Sequence, residues 1–302
     1  MARKTRTWPE APRPLDGEVM DNHTHLPVVP AQIPRADGIA MPLDEQIARA
    51  RAAGISRQVT SACELPEFAP MIGVASAYEG VRVALALHPN EAALHEGRVD
   101  PSPDGLTPRL SEHHIPLDEA LAVLDEALEN PMVVAVGESG LDYFRTAEPG
   151  REAQKRSFAA HIDLAVRKGL PLQIHDREAH ADCLEVLDRA GAIDVPVVFH
   201  CFSGDAQFAH ELAERGFYAS FAGPITYPAN AHLREALIEM PRELVLVETD
   251  APYLTPVPHR GSPNASYAMA HSVRRIAELW DLREDLACAQ LMENSRRVYG
   301  EW

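Results

Sequence analysis

The chain has 302 residues, of which 46% are hydrophobic and 24% charged, and its formal net charge is −17. That length buries a large core, no apolar run is long enough for a membrane span, and the acidic balance excludes a protein that coats nucleic acid with basic charge. A phosphodiester substrate stays open, because bound divalent cations reverse the field of a site locally.

Residues 1–17 are proline-rich and carry some basic charge without an apolar h-region. They read as a flexible extension with no secretory signal. Residues 18–302 read as one domain in which short β-rich runs alternate with longer helical patterns. In chain order the strand candidates are "EVMDNH", "SRQVTSA", "VRVALALH", "MVVAVGE", "PLQIH", "VPVVFH", "FYASFAG" and "ELVLVETD". Several are nearly continuous apolar runs, as expected of strands covered on both faces. Leucines 117, 121, 124 and 128 follow helical spacing and end at Asn130-Pro131, a stop signal. An Ala-rich helix over 151–168 closes on Gly169, and two more helical patterns follow over 268–279 and 283–298. Eight strand-to-helix units in one chain predict a TIM-type (β/α)8 barrel. A doubly wound open sheet is the runner-up, and it lacks a glycine fingerprint. The segments 27–38 and 97–116 read as loop elaborations after the first and third strands.

The four cysteines, Cys63, Cys183, Cys201 and Cys288, form no CxxC pair, so a reducing cytoplasm without a disulfide framework is expected. The polar residues fall at strand ends. Asp21, His23 and His25 close the first run, His88 the third, Glu138 the fourth, His175 the fifth, His200 the sixth and Asp250 the eighth. In a (β/α)8 barrel the carboxyl ends of the strands form the active-site face. Any one of these side chains alone reads as a hydrogen-bonded cap. Together His23, His25, Glu138, His175, His200 and Asp250 read as a set of imidazole and carboxylate ligands for divalent metal. His113-His114 reads as solvent-exposed within the 97–116 insertion. Cys201 reads as packing, and His180, His210 and His271 as helical surface or interhelix residues.

The stretches "DNHTHL", "ALHPNEA", "GESGLDYF", "GLPLQIHDREA", "FHCFSG", "GFYASFAGPITY", "ETDAPYLTPVPHRGSPN" and "ENSRRVYG" together resemble the TatD family of metal-dependent deoxyribonucleases. The resemblance implies a TIM-type barrel, a divalent metal site and hydrolysis at DNA ends. Position by position, it implies that His23 and His25 bind a first metal and that His175 and His200 hold a second. Glu138 would bridge the two, and Asp250 would bind the first metal while handling the nucleophilic water. His88 matches the family's histidine near the substrate. Ser139 replaces a usual aliphatic residue, Ala265-Ser266 follow "RGSPN" where Glu-Pro is common, and Pro228 stands where a lysine is common.

Two divalent ions are the implied cofactors. Mixed His and carboxylate ligands suit Zn, Mn or Fe, whereas the family expectation includes Mg, a poor partner for imidazole. Arg145, Arg177 and Arg260 each follow a motif closely and are candidates to grip substrate phosphates, since guanidinium matches phosphate geometry. A salt bridge to nearby acids is the competing reading for each. Asp21 and Asp142 read as supports for neighbouring ligands. DNA is the expected substrate. The alternative is a small-molecule amide or ester on the same site, because a Lewis acid also polarises carbonyls.

Overall fold

The computed structural model describes residues 7–302. In chain order the elements are β1 (Val19–Thr24), β2 (Arg35–Ala36), β3 (Ile39–Ala40), α1 (Leu43–Ala52), β4 (Ile55–Ala62), α2 (Leu65–Ala77), β5 (Val81–Leu85) and α3 (Pro89–His95). Then come α4 (Leu117–Ala127), β6 (Val133–Asp142), α5 (Glu148–Lys168), β7 (Leu172–Arg177), α6 (His180–Ala190), β8 (Val197–Phe199) and α7 (Ala206–Glu214). The chain continues through β9 (Tyr218–Phe221), α8 (Ala231–Glu239), β10 (Val245–Val247), α9 (Met269–Leu279) and α10 (Glu284–Tyr299). Eight strands lie in one sheet in the order β1, β4, β5, β6, β7, β8, β9, β10. This is the TIM-type (β/α)8 fold expected from the strand-to-helix alternation.

The chain groups into two compact units. The first takes in the described chain up to Thr60, with Tyr78–Val81 and Gly204–Trp302. Its core is built on Val19 and Met20 of β1, Ile55 of β4, Phe221 of β9 and Val245 to Val247 of β10, all buried. Helix α9 adds Met269, Val273 and Ile276 at helical spacing, and α10 adds Leu291. Asn294 of α10 is buried too, and its Nδ2 donates to the carbonyls of Arg242 and Val245 at 2.7 Å each. The strand pair β1 and β10 is tied by Asn22 Nδ2 donating to the Val247 carbonyl at 2.7 Å.

Of the expected 1–17 extension, residues 1–6 lie outside the described residues. Beyond them Trp8 Nε1 donates to Ile39 O at 3.0 Å, Tyr267 Oη to Pro9 O at 2.9 Å, and the Leu15 amide to Ala53 O at 3.0 Å. Between β2 and β3 stand Asp37 and Gly38, with φ of 52° and 78°. These are left-handed values that suit a tight hairpin turn. This small hairpin lies within and just beyond the segment read as a plain loop.

The second unit comprises Ser61–Ala77 and Arg82–Ser203. Its core joins Val83 and Leu85 of β5, Val136 of β6, Leu172 and Ile174 of β7, and Phe199 of β8 to Phe158 and Ile162 of α5. Burying a side chain such as Phe158 contributes about 2–3 kcal/mol by its apolar area. Helix α5 ends on Gly169 at φ 65°, the left-handed cap that glycine adopts without a Cβ penalty.

Strand β6 runs four residues past its expected end. Its partner β7 pairs Ser139 with Ile174, Gly140 with His175 and Asp142 with Arg177, after a register irregularity between Val136 and Ser139. A Cβ on Gly140 would stand 2.1 Å from the His175 carbonyl oxygen, so only glycine lets the two backbones approach this closely. Glu138 therefore lies inside β6, at the irregularity, rather than at the strand end.

Candidate metal centre

In the first unit, residues 23–25 supply two imidazoles separated by one residue. β1 is buried along its whole length. Side chains two apart in a strand share a face, and the rings of His23 and His25 lie 5.0 Å apart, centroid to centroid, with Nε2 to Nε2 at 3.3 Å. Asp250, three residues past β10, brings Oδ1 within 3.4 Å of His25 Nε2. Its φ is 52°, a left-handed value that Asp tolerates better than most residues. The backbone fixes the trio, since the Asp250 amide donates to His23 O at 3.0 Å and the His25 amide to Ala251 O at 2.8 Å. Asp250 does not open a helix. Its carbonyl accepts from the Tyr253 amide in a turn.

Asp21 supports the group from below. It is buried and accepts from the Thr249 amide at 2.9 Å and from Thr249 Oγ1 at 2.6 Å, which anchors the chain just before Asp250. Burial raises its carboxyl to about 7, against the lowering effect of the Thr249 and Ser266 hydrogen bonds.

In the second unit, Glu138 Oε2 lies 2.5 Å from His200 Nε2 and 3.1 Å from His175 Nδ1, and those two nitrogens are 3.4 Å apart. Two ligands about 2.0–2.2 Å from one ion at a tetrahedral angle stand roughly 3.3–3.5 Å apart. The three atoms thus fit around one divalent cation after a small outward shift of His200. His23, His25 and Asp250 likewise bring ligand atoms within 4.8 Å of one another. Both groups mix imidazole with carboxylate, the donor set of a borderline divalent metal.

The other side of His175 is held by Asp142, whose Oδ2 lies 3.2 Å from His175 Nε2. Asp142 is in turn fixed by the Arg145 amide at 2.7 Å. Burial alone would lower the His175 pKa, but the hydrogen bonds to Asp142 and Glu138 outweigh it and lift the pKa to about 9. Burial pushes Asp142 up, yet His175 and His88 bring it down to about 2. The pocket around Glu138 thus favours positive charge, which a metal ion would supply in place of the imidazole proton.

His88 caps α3, with Nδ1 accepting from the Asn90 amide at 3.1 Å, and its ring lies 4.6 Å from that of His175. Burial and the neighbouring His175 lower its pKa to about 4. The sequence reading passed over Cys63, the residue directly after β4, whose Sγ lies 3.5 Å from Glu138 Oε1. Its place at a strand end was the available signal. Burial and the charge of Glu138 push this thiol well up. None of the four cysteines forms a disulfide among the described residues.

The three arginines differ. Arg177 ends β7, with its guanidinium carbon 4.0 Å from the centre of the Phe144 ring. Arg260 lies similarly over Tyr227 at 4.5 Å. Neither has an acidic partner among the described residues, so the salt-bridge reading fails for both. Arg145 stands 3.8 Å from Asp104. The altered "RGSPN" continuation is interior, because Ala265 is buried and Ser266 Oγ donates to Gln58 Oε1 at 2.7 Å. That departure is a packing feature of the first unit.

A (β/α)8 fold with imidazole and carboxylate groups at the carboxyl ends of its strands is the architecture of a metal-dependent hydrolase. Comparison with known proteins then gives the family. A sequence model described as TatD related DNase matches residues 20–300, and the chain belongs to that family. It is 39% identical to the uncharacterized metal-dependent hydrolase TatD of Mycobacterium tuberculosis, over 93% of this chain and 98% of that protein. It is 34% identical to the 3′-5′ ssDNA/RNA exonuclease TatD of Cronobacter sakazakii, over 70% of this chain and 73% of that protein. Among solved structures, the TatD homologue of Escherichia coli K12 superposes with a TM-score of 0.77 at 28% identity, covering 94% of this chain and 98% of that one.

Proposed function

We propose that this chain is a cytoplasmic deoxyribonuclease that hydrolyses phosphodiester bonds at the 3′ end of single-stranded DNA with two divalent ions, of Zn, Mn or Mg type. The observation that carries the reading is the pair of mixed ligand groups, His23, His25 and Asp250 in one unit and Glu138, His175 and His200 in the other. In the proposed arrangement His23, His25 and Asp250 would hold one ion, and Glu138, His175 and His200 would hold another. The ions would acidify water at neutral pH and offset negative charge growing on the phosphoryl oxygens.

The chain's own residues do the rest. Asp250 takes the water's proton at a carboxylate oxygen, as a positioned general base does. Asp142 keeps His175 turned toward Glu138, which fixes the ring nitrogen available to metal. Arg177, held over Phe144, presents its guanidinium to a substrate phosphate. Arg145 and Arg260 add weaker phosphate contacts, and His88 offers an uncharged ring edge to the substrate. The name of the Cronobacter sakazakii relative supports a nucleic-acid substrate.

The test runs short single-stranded DNA and a panel of acyl amides and esters in parallel, with chelated protein and with metal restored. Metal-dependent release of nucleotides, with little turnover of the acyl panel, is the expected result. Turnover of an amide or ester without DNA cleavage would replace this reading with an acyl hydrolase on the same site.

A further inference from the structure

The 97–116 insertion carries a second group of ligand-type side chains, set apart from the strand-end residues in role and in composition. Glu91 and His95 sit one turn apart on α3, a spacing that puts both on one helix face. His113 brings Nε2 to 3.2 Å from Glu91 Oε2 and to 3.3 Å from Glu64 Oε2, the residue just before α2. These separations match the roughly 3.3 Å expected between adjacent ligands of a tetrahedral zinc ion. A neutral imidazole has one proton to offer at Nε2 and so satisfies one of the two carboxylates at a time. Burial and the charges of Glu91 and Glu67 push the Glu64 carboxyl up, so the acids are crowded.

Two neighbouring histidines have distinguishable tautomers. His114 was read as exposed, yet its side chain is only 3% exposed. Its Nδ1 accepts from the Ser111 amide at 2.7 Å, so the proton lies on Nε2, which donates to Glu91 Oε2 at 3.0 Å. His114 therefore orients Glu91 and is not itself a ligand. His95 is the reverse case. Its Nδ1 donates to Ile115 O at 2.7 Å, which leaves the lone pair on Nε2. That atom is buried and has no hydrogen-bond partner among the described residues, and the residue is only 5% exposed. A histidine whose other nitrogen donates to a backbone carbonyl is set up as a metal ligand. Its ring packs 6.4 Å from His113 and 5.3 Å from His114, centroid to centroid. A cleft of about 430 Å³, lined in part by His95, His114 and Leu110, opens beside these two rings.

We propose that Glu64, Glu91 and His113 hold a structural divalent cation of zinc-like preference, which pins the 97–116 insertion to α3, with His95 packed beside them as a further nitrogen donor of the same neighbourhood. His114 is a positioning residue for Glu91. The mixed nitrogen and oxygen donors select a borderline ion over Ca or Mg.

The test titrates chelated full-length protein with Zn²⁺ by calorimetry. Wild type is expected to take up one equivalent more than the Glu91→Gln/His113→Gln double variant, with the remaining equivalents unchanged. Glu64→Gln, at a partly exposed side chain, is expected to weaken that equivalent at least tenfold while the circular dichroism stays that of wild type. It decides the matter if the double variant does not fold. Thermal melting supplies an independent readout, because added Zn²⁺ should raise the melting temperature by less in Glu64→Gln than in wild type. Equal stoichiometry, affinity and thermal response in Glu64→Gln and wild type would overturn the proposal.

Discussion

His175 stands between Glu138 and Asp142, at 3.1 and 3.2 Å. One ring nitrogen faces the proposed ion and the other is pinned by a carboxylate. The same division of labour recurs at Asp21, which anchors Thr249 one residue before Asp250. Arg177 gives the residue-scale prediction. Its guanidinium carbon lies 4.0 Å from the centre of the Phe144 ring, and among the described residues it has no acid to release before meeting a phosphate. Losing one charge-assisted contact costs about 1.5–3 kcal/mol, so Arg177→Ala should lower kcat/KM for short DNA by about tenfold to a hundredfold. Steady-state kinetics check this, and unchanged rate and KM would remove Arg177 from the substrate contacts.

At the scale of elements, α5 makes a pH-sensitive joint with the residue before His88. His161 is buried, donates from Nδ1 to Ser157 O at 2.7 Å and accepts the Leu87 amide on Nε2 at 3.0 Å. Burial lowers its pKa from 6.5 to about 4, opposed by the Ser157 hydrogen bond. With the folded value below the unfolded one, the unfolded chain binds the extra proton between those limits. Stability from this residue is present above about pH 6.5 and is lost as pH falls toward 4, by about 3 kcal/mol in all. Urea unfolding at pH 7 and pH 4.5 should show wild type losing about 2 kcal/mol more than His161→Gln. Parallel pH profiles would contradict that account. The main strands were legible because continuous apolar runs bounded by polar ends have few other readings. β6 was read too short because Gly137, Ser139 and Gly140 look like a turn, and only their close approach to β7 makes them strand. The β2–β3 hairpin carried a readable Asp37-Gly38 signal, but its two-residue strands gave no periodicity. His113 and His114 were misjudged because their partners Glu64, Glu91 and His95 lie on other segments, and sequence spacing does not report such meetings.

Over the whole molecule, a net charge of −17 opposes the approach of DNA, so the proposed recognition of DNA would rest on a few local cationic groups. Each phosphate neutralised on a single strand contributes about −0.7 to the slope of log affinity against log salt. Contacts from Arg145, Arg177 and Arg260 would together give a slope of about −2. A salt series of 1/KM measures it, and a slope near −5 or steeper would mean a basic groove that this account lacks. The central claim is that the two proposed ligand groups hold ions that carry DNA hydrolysis, with Glu138 a ligand in the second. Its most direct test is metal-restored release of nucleotides from 3′-labelled single-stranded DNA by wild type and Glu138→Ala. The account predicts a loss of roughly 10³-fold or more in the variant, whereas release within twofold of wild type would contradict it.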